Sequence, residues 1–289
     1  MIANAQETAK STAPAGDAVV QFTDVNLDFG ETPALVHLSF AMKAGETRVV
    51  LGAAGSGKTT LLKTTVGLVG PDSGHIYLFG QEVTGRKESQ LFDVRSKVGI
   101  LFQEGGLFDS LTIAENVAYP LLNQHALHRD ANTEAPSEEE VERRVVESLS
   151  FVELEHTLDK FPSELSGGMR RRVGIARAVV TNPQLVLYDS PTAGLDPITA
   201  NTIINLIIKG RDLRNTATMM ITHRYQDGHL MANFRYNPSS GKIEPAESSQ
   251  LSTRFFVMKE GRLVFQGSEA ELRASTDEYV QKFARPGSS

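Results

Sequence analysis

The chain has 289 residues, of which 40% are hydrophobic and 22% charged, so it is long enough to bury a core and is not mainly disordered. Its formal net charge of −6 argues against a protein held on nucleic acid or anionic lipid by its overall field, and we expect no nucleic-acid partner. The sequence contains no cysteine, which excludes disulfides, thiolate catalysis and cysteine-ligated metal sites.

The N-terminal residues 1–17 lack the apolar core of a signal peptide, and we interpret them as a flexible tail before one domain at 18–289. No apolar run approaches the roughly 20 residues of a membrane-spanning helix, so we expect a chain that does not cross a bilayer. From Val19, short alternating runs predict a small antiparallel sheet. These runs lie at residues 20–22, 27–29, 38–42 and 76–78.

Continuous apolar runs of a second kind have the composition of strands buried on both faces, and they predict a parallel α/β core. They lie at residues 49–51, 100–102, 185–188 and 219–221. Between about 104 and 165 we expect a mostly helical insertion, because the sequence has no such run there. Within it, Ser137 and Glu140 form a capping-box pattern that predicts the start of a helix, and residues 124–136 predict a loop.

The C-terminal part begins with an extended polar insertion from about 228 to 253, for which we favour a solvated hairpin or loop over a binding element. Two apolar runs then flank a short turn at 259–261 and predict a β-hairpin. These runs lie at residues 255–258 and 263–265.

A glycine-rich loop at residues 52–59, with the sequence GAAGSGKT, follows the strand at 49–51 and opens a helical pattern. Such a loop wraps backbone N–H groups around phosphate oxygens at a positive helix end. Lys58 would reach the β and γ phosphates of ATP, and the Thr59 hydroxyl would ligate Mg²⁺. The loop does not match the glycine pattern of dinucleotide-binding proteins, because Thr60 occupies the position of the third glycine. The candidate nucleotide-binding residues are Gly52, Gly55, Ser56, Gly57, Lys58, Thr59 and Thr60.

An apolar strand at 185–188 ends in the carboxylate of Asp189, where phosphate-loop proteins hold the Mg²⁺ shell. Taken alone this signal is weak, because many buried strands end in aspartate. Together with the glycine loop, it makes Asp189 a candidate Mg²⁺ ligand.

The segment LSGGMRRRV at 165–173 resembles the signature motif of ATP-binding cassette (ABC) ATPases and lies, as in that family, between the two phosphate motifs. The resemblance implies a P-loop NTPase α/β core with a small antiparallel β-subdomain and a helical subdomain. Ser166, Gly167 and Gly168 would cap a helix that faces the γ-phosphate bound to a second ATPase subunit. That subunit is a second copy or a paralogue, with a homodimer favoured.

Other positions match the family in order along almost the whole chain. Phe29 is similar to the aromatic residue that stacks on adenine, although a single phenylalanine is more often a packing residue. Gln103 resembles the Q-loop glutamine that ligates Mg²⁺ and senses the transmembrane partner, and residues 194–196 resemble the D-loop. His223 resembles the switch histidine that contacts the γ-phosphate, although a lone histidine after a strand is usually structural.

Within this superfamily, residues 101–112 and 116–121 closely resemble the ATPase subunit of the Mla-type phospholipid transporters. Two further features resemble the same subunit: Met169, which replaces a more widespread glutamine of the signature motif, and the C-terminal segment at 277–283. The resemblance implies an MlaE-like transmembrane permease and an MCE-domain lipid-binding protein as partners. It also implies a cytoplasmic subunit that lies on the inner membrane through its permease.

One position departs from the family in the catalytic machinery. The family places a glutamate that polarises the attacking water after the strand carboxylate, whereas this chain has Ser190. A serine hydroxyl cannot act as a general base near neutral pH. Three hypotheses remain: His223 and Gln103 orient the water for slow turnover, Glu104 or a partner subunit supplies a carboxylate, or the chain binds ATP and dimerises but scarcely hydrolyses it.

Overall fold

The computed structural model describes residues 17–30, 33–103, 105–127, 136–246 and 252–285. Residues 1–16 of the expected tail, together with Glu104, lie outside these ranges. The strands are β1 (Ala18–Asp28), β2 (Pro33–Lys43), β3 (Thr47–Gly52), β4 (Ser73–Leu78), β5 (Gln81–Glu82), β6 (Val98–Leu101), β7 (Leu185–Asp189), β8 (Ala217–Ile221), β9 (Phe234–Asn237), β10 (Lys242–Pro245), β11 (Thr253–Lys259) and β12 (Arg262–Gly267). The helices are α1 (Lys58–Thr65), α2 (Phe92–Arg95), α3 (Ile113–Leu127), α4 (Glu138–Phe151), α5 (Gly167–Val179), α6 (Pro197–Arg214), α7 (Tyr225–Asn233), α8 (Glu269–Ala274) and α9 (Glu278–Gln281).

The predicted small antiparallel sheet is confirmed as a four-stranded sheet in the order β2-β1-β4-β5. Two runs that looked like separate strands in the sequence belong to β1, which is irregular between Phe22 and Val25. Asp24 lies there with φ 47°, a conformation that bends the strand without ending it. Phe40 stacks on Phe22 at 4.7 Å and meets Phe256 edge-on at 5.2 Å, so this sheet packs against the second one.

The predicted parallel core is confirmed as a six-stranded sheet in the order β12-β11-β3-β8-β7-β6. Every pair from β11 to β6 is parallel, and β12 adds an antiparallel edge. The β11–β12 hairpin is also confirmed. Its turn residues Glu260 and Gly261 have φ 49° and 75°, as expected for a turn that matches strand twist.

The central strand β3 separates two hydrophobic cores. Val49 and Leu51 face the core that contains the long helices, whereas Val50 faces the core beneath the antiparallel sheet. Because alternate strand residues point to opposite faces, both sides of β3 are buried, and the residues that follow it are held at a fixed position.

The helical insertion is present as α3 and α4, which pack against each other and against α5. The Ser137 hydroxyl accepts a hydrogen bond from the Glu140 N–H at 3.2 Å and so caps α4 as predicted. The loop expected at 124–136 is wrong for its first residues, because α3 continues to Leu127. Good helix formers at these positions extend the helix. Residues 128–135 lie outside the described ranges. No helix in the part of the chain that the structure describes is long and apolar enough to cross a membrane.

The polar stretch expected from about Gly228 starts within α7, and the first strand after that helix begins at Phe234. Gly228 is buried in α7, where an added Cβ would lie 2.5 Å from the Phe255 ring, so the missing side chain lets α7 pack on the sheet. The following residues form the β9–β10 hairpin, in which Asn237 pairs with Lys242. The buried Arg211 side chain donates a hydrogen bond to the Phe234 carbonyl at 2.9 Å and anchors the hairpin to α6.

Candidate functional site

The glycine loop connects β3 to α1, as its sequence predicts. Gly52 has φ 151°, and an added Cβ there would lie 2.5 Å from the Met258 carbonyl oxygen. Gly57 has φ 98°, and its Cβ would lie 2.3 Å from the Ala34 carbonyl oxygen. Both positions therefore require glycine, because the neighbouring backbone approaches too closely for a side chain. The loop is built to bring N–H groups to an anion at the start of α1.

The Lys58 ammonium lies over this loop. Its Nζ donates hydrogen bonds to the carbonyl oxygens of Gly52 at 2.8 Å and Ala53 at 2.7 Å. A longer contact of 3.4 Å reaches the hydroxyl of Ser56, which is itself buried. Burial lowers the pKa of Lys58, and the negative charge of Asp189 opposes that shift. The loop's own carbonyl groups therefore hold the Lys58 ammonium in place over the loop.

A cavity of about 270 Å³ opens beside the loop. Its lining includes Gly55, Gly57, Lys58, Thr59 and Thr60 together with Phe29. Phe29 is 62% exposed, which a packing residue would not be. The structure therefore brings the predicted stacking residue and the predicted phosphate loop to one cavity, although they lie far apart in the sequence.

The loops that follow β3, β6, β7 and β8 lie at the same edge of the sheet, because parallel strands end together. This places Gln103, Asp189 and His223 at the edge where the glycine loop lies. Asp189 is buried at 3% exposure, whereas Gln103 and His223 are exposed. Thr59, Gln103 and Asp189 offer hydroxyl, amide and carboxylate oxygens, a donor set that fits Mg²⁺.

Ser190 stands directly after the buried carboxylate in a left-handed conformation, with φ 49°. Its N–H donates to the Ile221 carbonyl at 2.9 Å, and its hydroxyl donates to Asp189 Oδ1 at 3.2 Å. The side chain is therefore directed to Asp189 and supplies no base. Glu104, the alternative source of a carboxylate in this chain, lies outside the described residues.

The signature segment forms the start of α5. Ser166 is the N-cap, and its hydroxyl accepts a hydrogen bond from the Met169 N–H at 3.3 Å. A separate cavity of about 490 Å³ opens here. Its lining includes Ser166, Gly167, Gly168, Gly194 and Asp196, and none of the residues that line the phosphate-loop cavity. The structure thus keeps Ser166 apart from this chain's own phosphate loop, as a role toward a second subunit would require.

A buried carboxylate that sequence reasoning missed links two of the loops. Asp227 is 0% exposed, and its Oδ2 accepts hydrogen bonds from the hydroxyls of Thr192 at 2.5 Å and Thr222 at 2.7 Å. Its Oδ1 lies 3.6 Å from Arg224 NH1. Thr192 belongs to the loop after Ser190, and Thr222 precedes His223. No motif marks Asp227; only its burial identifies it, which a sequence does not show.

The segment before α3, together with α3 itself, presents two aromatic side chains to solvent. The amide of Asn116 brackets Phe108, accepting from its N–H at 2.8 Å and donating to its carbonyl at 3.0 Å. The Phe108 ring lies 4.6 Å from that of Tyr119, and each residue is 41% exposed. Arg177 donates to the Gly106 carbonyl at 2.8 Å, with its guanidinium 5.8 Å from the Phe108 ring. This aromatic patch, Phe108 with Tyr119, is fixed in place and exposed.

The comparison with protein families matches residues 35–193 to the family described as "ABC transporter". The match begins in β2 and ends after Ser190, so it includes both phosphate motifs and the signature segment. It covers more than half of the chain.

Individual relatives agree with this match. The chain is 32% identical over 286 residues to "Protein TRIGALACTOSYLDIACYLGLYCEROL 3, chloroplastic" of Arabidopsis thaliana, covering 93% of this chain and 74% of the relative. It is 34% identical over 204 residues to "Probable ribonucleotide transport ATP-binding protein mkl" of Mycobacterium bovis. That alignment covers 71% of this chain and 54% of the mycobacterial protein, about half of its length.

A solved structure described as the dimeric post-hydrolysis state of the ATP-binding cassette MJ0796, bound to ADP and Pi, superposes on the chain with a TM-score of 0.70. The two are 29% identical, and the superposition covers 86% of this chain and 98% of that one. The likeness therefore extends over nearly the whole of the other cassette.

Proposed function

Because the chain belongs to the ABC transporter family, as an ATPase cassette of the kind that dimerises and pairs with transmembrane permeases, we propose that it powers phospholipid transport through an MlaE-like permease with an MCE-domain lipid-binding partner. The predicted fold class, a P-loop ABC core with an antiparallel β-subdomain and a helical subdomain, is confirmed. We propose that two copies of the chain pair head to tail and that the permease holds them at the cytoplasmic face of the inner membrane.

The aromatic patch, Phe108 with Tyr119, carries this proposal. It lies in the segment whose sequence resembles the Mla-type subunits, and two exposed rings beside Arg177 make a surface suited to an amphipathic partner helix. Support for a lipid substrate also comes from the name of the plant relative, which is that of a glycolipid. The name of the mycobacterial relative refers instead to ribonucleotide transport, so a lipid assay has to decide between these substrates.

In the proposed cycle, Phe29 stacks on adenine, while the loop from Gly52 to Thr60 and the ammonium of Lys58 bind the phosphates. Thr59, Gln103 and Asp189 would hold Mg²⁺, which would neutralise phosphate charge when it is bound. Ser166, Gly167 and Gly168 of the second copy donate to the γ-phosphate, and His223 contacts it from this chain. The fit rests on Gly52 and Gly57, where an added Cβ would lie 2.5 Å and 2.3 Å from backbone carbonyl oxygens, and on the oxygen donors gathered at one edge of the sheet.

Partner recovery tests the transport proposal directly. The native complex isolated in mild detergent should contain a permease and an MCE-type protein, and phospholipid exchange between vesicles should require ATP. A Phe108→Asp variant should lose the permease, whereas Val264→Asp, at a distant residue of similar exposure, should retain it. Equal recovery of the permease with both variants would contradict the assigned docking surface.

A second candidate is a nucleotide-gated assembly subunit that binds ATP and dimerises with little hydrolysis. The observation in its favour is the Ser190 hydroxyl, which is hydrogen-bonded to Asp189 and leaves the base position without a carboxylate. In the transport proposal, by contrast, His223 and Gln103 orient the water, since phosphoryl transfer depends mostly on positioning and charge stabilisation.

Phosphate release from the purified complex separates these candidates. Both Ser190→Glu and Ser190→Ala place a non-glycine residue in the same left-handed backbone conformation, so they differ mainly in the carboxylate. If the native rate is low and only Ser190→Glu raises it strongly, the assembly candidate is favoured. A substantial native rate that Ser190→Ala preserves means that the water is positioned elsewhere and favours the transport ATPase.

A further inference from the structure

The C-terminal helix α9 lies against the phosphate-binding loop. The Tyr279 hydroxyl accepts a hydrogen bond from the Ala53 N–H at 3.1 Å and donates one to the Met258 carbonyl at 2.9 Å. Asp277 fixes the start of this helix, since its Oδ1 accepts from the N–H groups of Tyr279 at 2.8 Å and Val280 at 2.9 Å. Val280 is buried at 1% exposure and anchors the helix in the core.

The hydrogen bond from Ala53 acts on a peptide group that also contacts Lys58. The Ala53 N–H and the Gly52 carbonyl belong to the same peptide, which is planar and trans, so they point in opposite directions. The Gly52 carbonyl accepts a hydrogen bond from Lys58 Nζ at 2.8 Å. The tyrosine hydroxyl and the lysine ammonium therefore hold one peptide plane from its two sides.

The end of β11 lies close to this part of the loop. An added Cβ on Gly52 would lie 2.5 Å from the carbonyl oxygen of Met258, which also accepts the hydrogen bond from the Tyr279 hydroxyl. Farther along the loop, the Ser56 carbonyl accepts a hydrogen bond from the Gly261 N–H at 3.2 Å. The end of β11 and the turn that follows it thus contact the loop, and the Tyr279 hydroxyl connects the Met258 carbonyl of β11 to the Ala53 N–H of the loop.

We propose that Tyr279 is a positioning residue for nucleoside triphosphate: its hydroxyl sets the peptide between Gly52 and Ala53, and through that peptide the ammonium of Lys58. The inference rests on nucleotide binding at this loop. It assigns the C-terminal helix a part in ATP affinity, although α9 itself lies outside the loop.

A Tyr279→Phe substitution in the full-length chain isolates the hydroxyl. The ring keeps its edge contact with Phe283 at 5.2 Å and its place beneath the Lys259 ammonium, 5.2 Å from the ring centre. We expect the Kd for ATP to rise about fivefold, the effect of one net hydrogen bond, because the loop is no longer fixed before the nucleotide binds. Turnover at saturating ATP should stay within about twofold of the native rate, since the bound nucleotide restores the loop.

Two reference variants make this result specific. Tyr225→Phe removes another partly buried hydroxyl, which donates to Glu269 between α7 and α8, and it should leave the Kd for ATP unchanged. Lys58→Ala should abolish ATP binding. Retained tight binding in Lys58→Ala would refute the assigned nucleotide site itself, independently of any result for Tyr279.

Amide hydrogen exchange at Ala53 provides the second measurement. In the native chain without nucleotide this amide should be protected, and in Tyr279→Phe its exchange should accelerate while the core strand β3 remains protected. An unchanged Kd for ATP in Tyr279→Phe, or an unchanged exchange rate at Ala53, would overturn the proposal. An equal rise in Kd in Tyr225→Phe would overturn it as well, because the effect would then be one of general stability.

Discussion

Replacing Asp227 by alanine should both destabilise the fold and impair the ATPase site. The carboxylate is 0% exposed and accepts hydrogen bonds from Thr192 and Thr222 at 2.5 and 2.7 Å. A hydrogen bond to a charged group contributes about 1.5–3 kcal/mol, so the two together contribute about 3–6 kcal/mol. Removing the charge recovers part of its desolvation cost, which leaves a net loss of about 2–4 kcal/mol.

Urea-induced unfolding measures this loss of stability. The substitution should lower the urea concentration at the unfolding midpoint and leave the denaturant slope unchanged. Asp227→Asn keeps an oxygen that can accept from both hydroxyls, so it should lose about half as much. Asp159→Ala, at an exposed position, should change stability by less than about 0.5 kcal/mol.

ATP turnover provides the functional part of the same test. Thr192 lies in the loop after Ser190, and Thr222 lies beside His223. Loss of their shared hydrogen-bond acceptor therefore leaves two loops less firmly held at the sheet edge where the glycine loop lies. We expect turnover at saturating ATP to fall about tenfold or more. A loss of less than about 1 kcal/mol in stability, or native turnover in Asp227→Ala, would refute the reasoning.

Three further substitutions test separate parts of the fold. Burial acts to raise the pKa of Glu269, but hydrogen bonds from α7 side chains outweigh it and hold the pKa below its ordinary value of 4.5. Its contribution to stability is therefore complete above pH 4.5 and is lost as the pH falls through the lowered pKa of the folded state. Acid titration followed by circular dichroism should show a shallower loss of folded structure in Glu269→Gln than in the native chain. Gly99→Ala places a Cβ 2.0 Å from the Ala178 carbonyl oxygen and should destabilise by about 1–3 kcal/mol in urea, whereas Gly70→Ala, with nothing within 4 Å, should be nearly neutral; equal effects would contradict the packing of α5 on β6. Ser137→Ala removes the cap of α4 and should cost about 1 kcal/mol in thermal unfolding, and Ser137→Thr should restore most of it.

The local sequence determined the element types and the phosphate loop. Alternation of period two predicted the antiparallel sheet, and continuous apolar runs such as that of β7 predicted the buried parallel strands. The glycines at 52 and 57 were readable because a phosphate-binding turn constrains consecutive residues. The cap at Ser137 was readable for the same reason, since its donor lies three residues away. The exact end of α3 could not be predicted from the sequence, because helix propensity alone defines helix ends poorly.

Only the tertiary structure decided which distant residues meet. It brought Phe29 to the cavity of Lys58 and kept Ser166 in a separate one. It also revealed the contacts of Asp227 and of Tyr279, whose hydroxyl is hydrogen-bonded to a residue 226 positions away in the sequence. Such pairings depend on how the strands are ordered in the sheet and on which polar groups become buried. These are properties of the packed chain, whereas propensity and spacing act only over a few neighbouring residues.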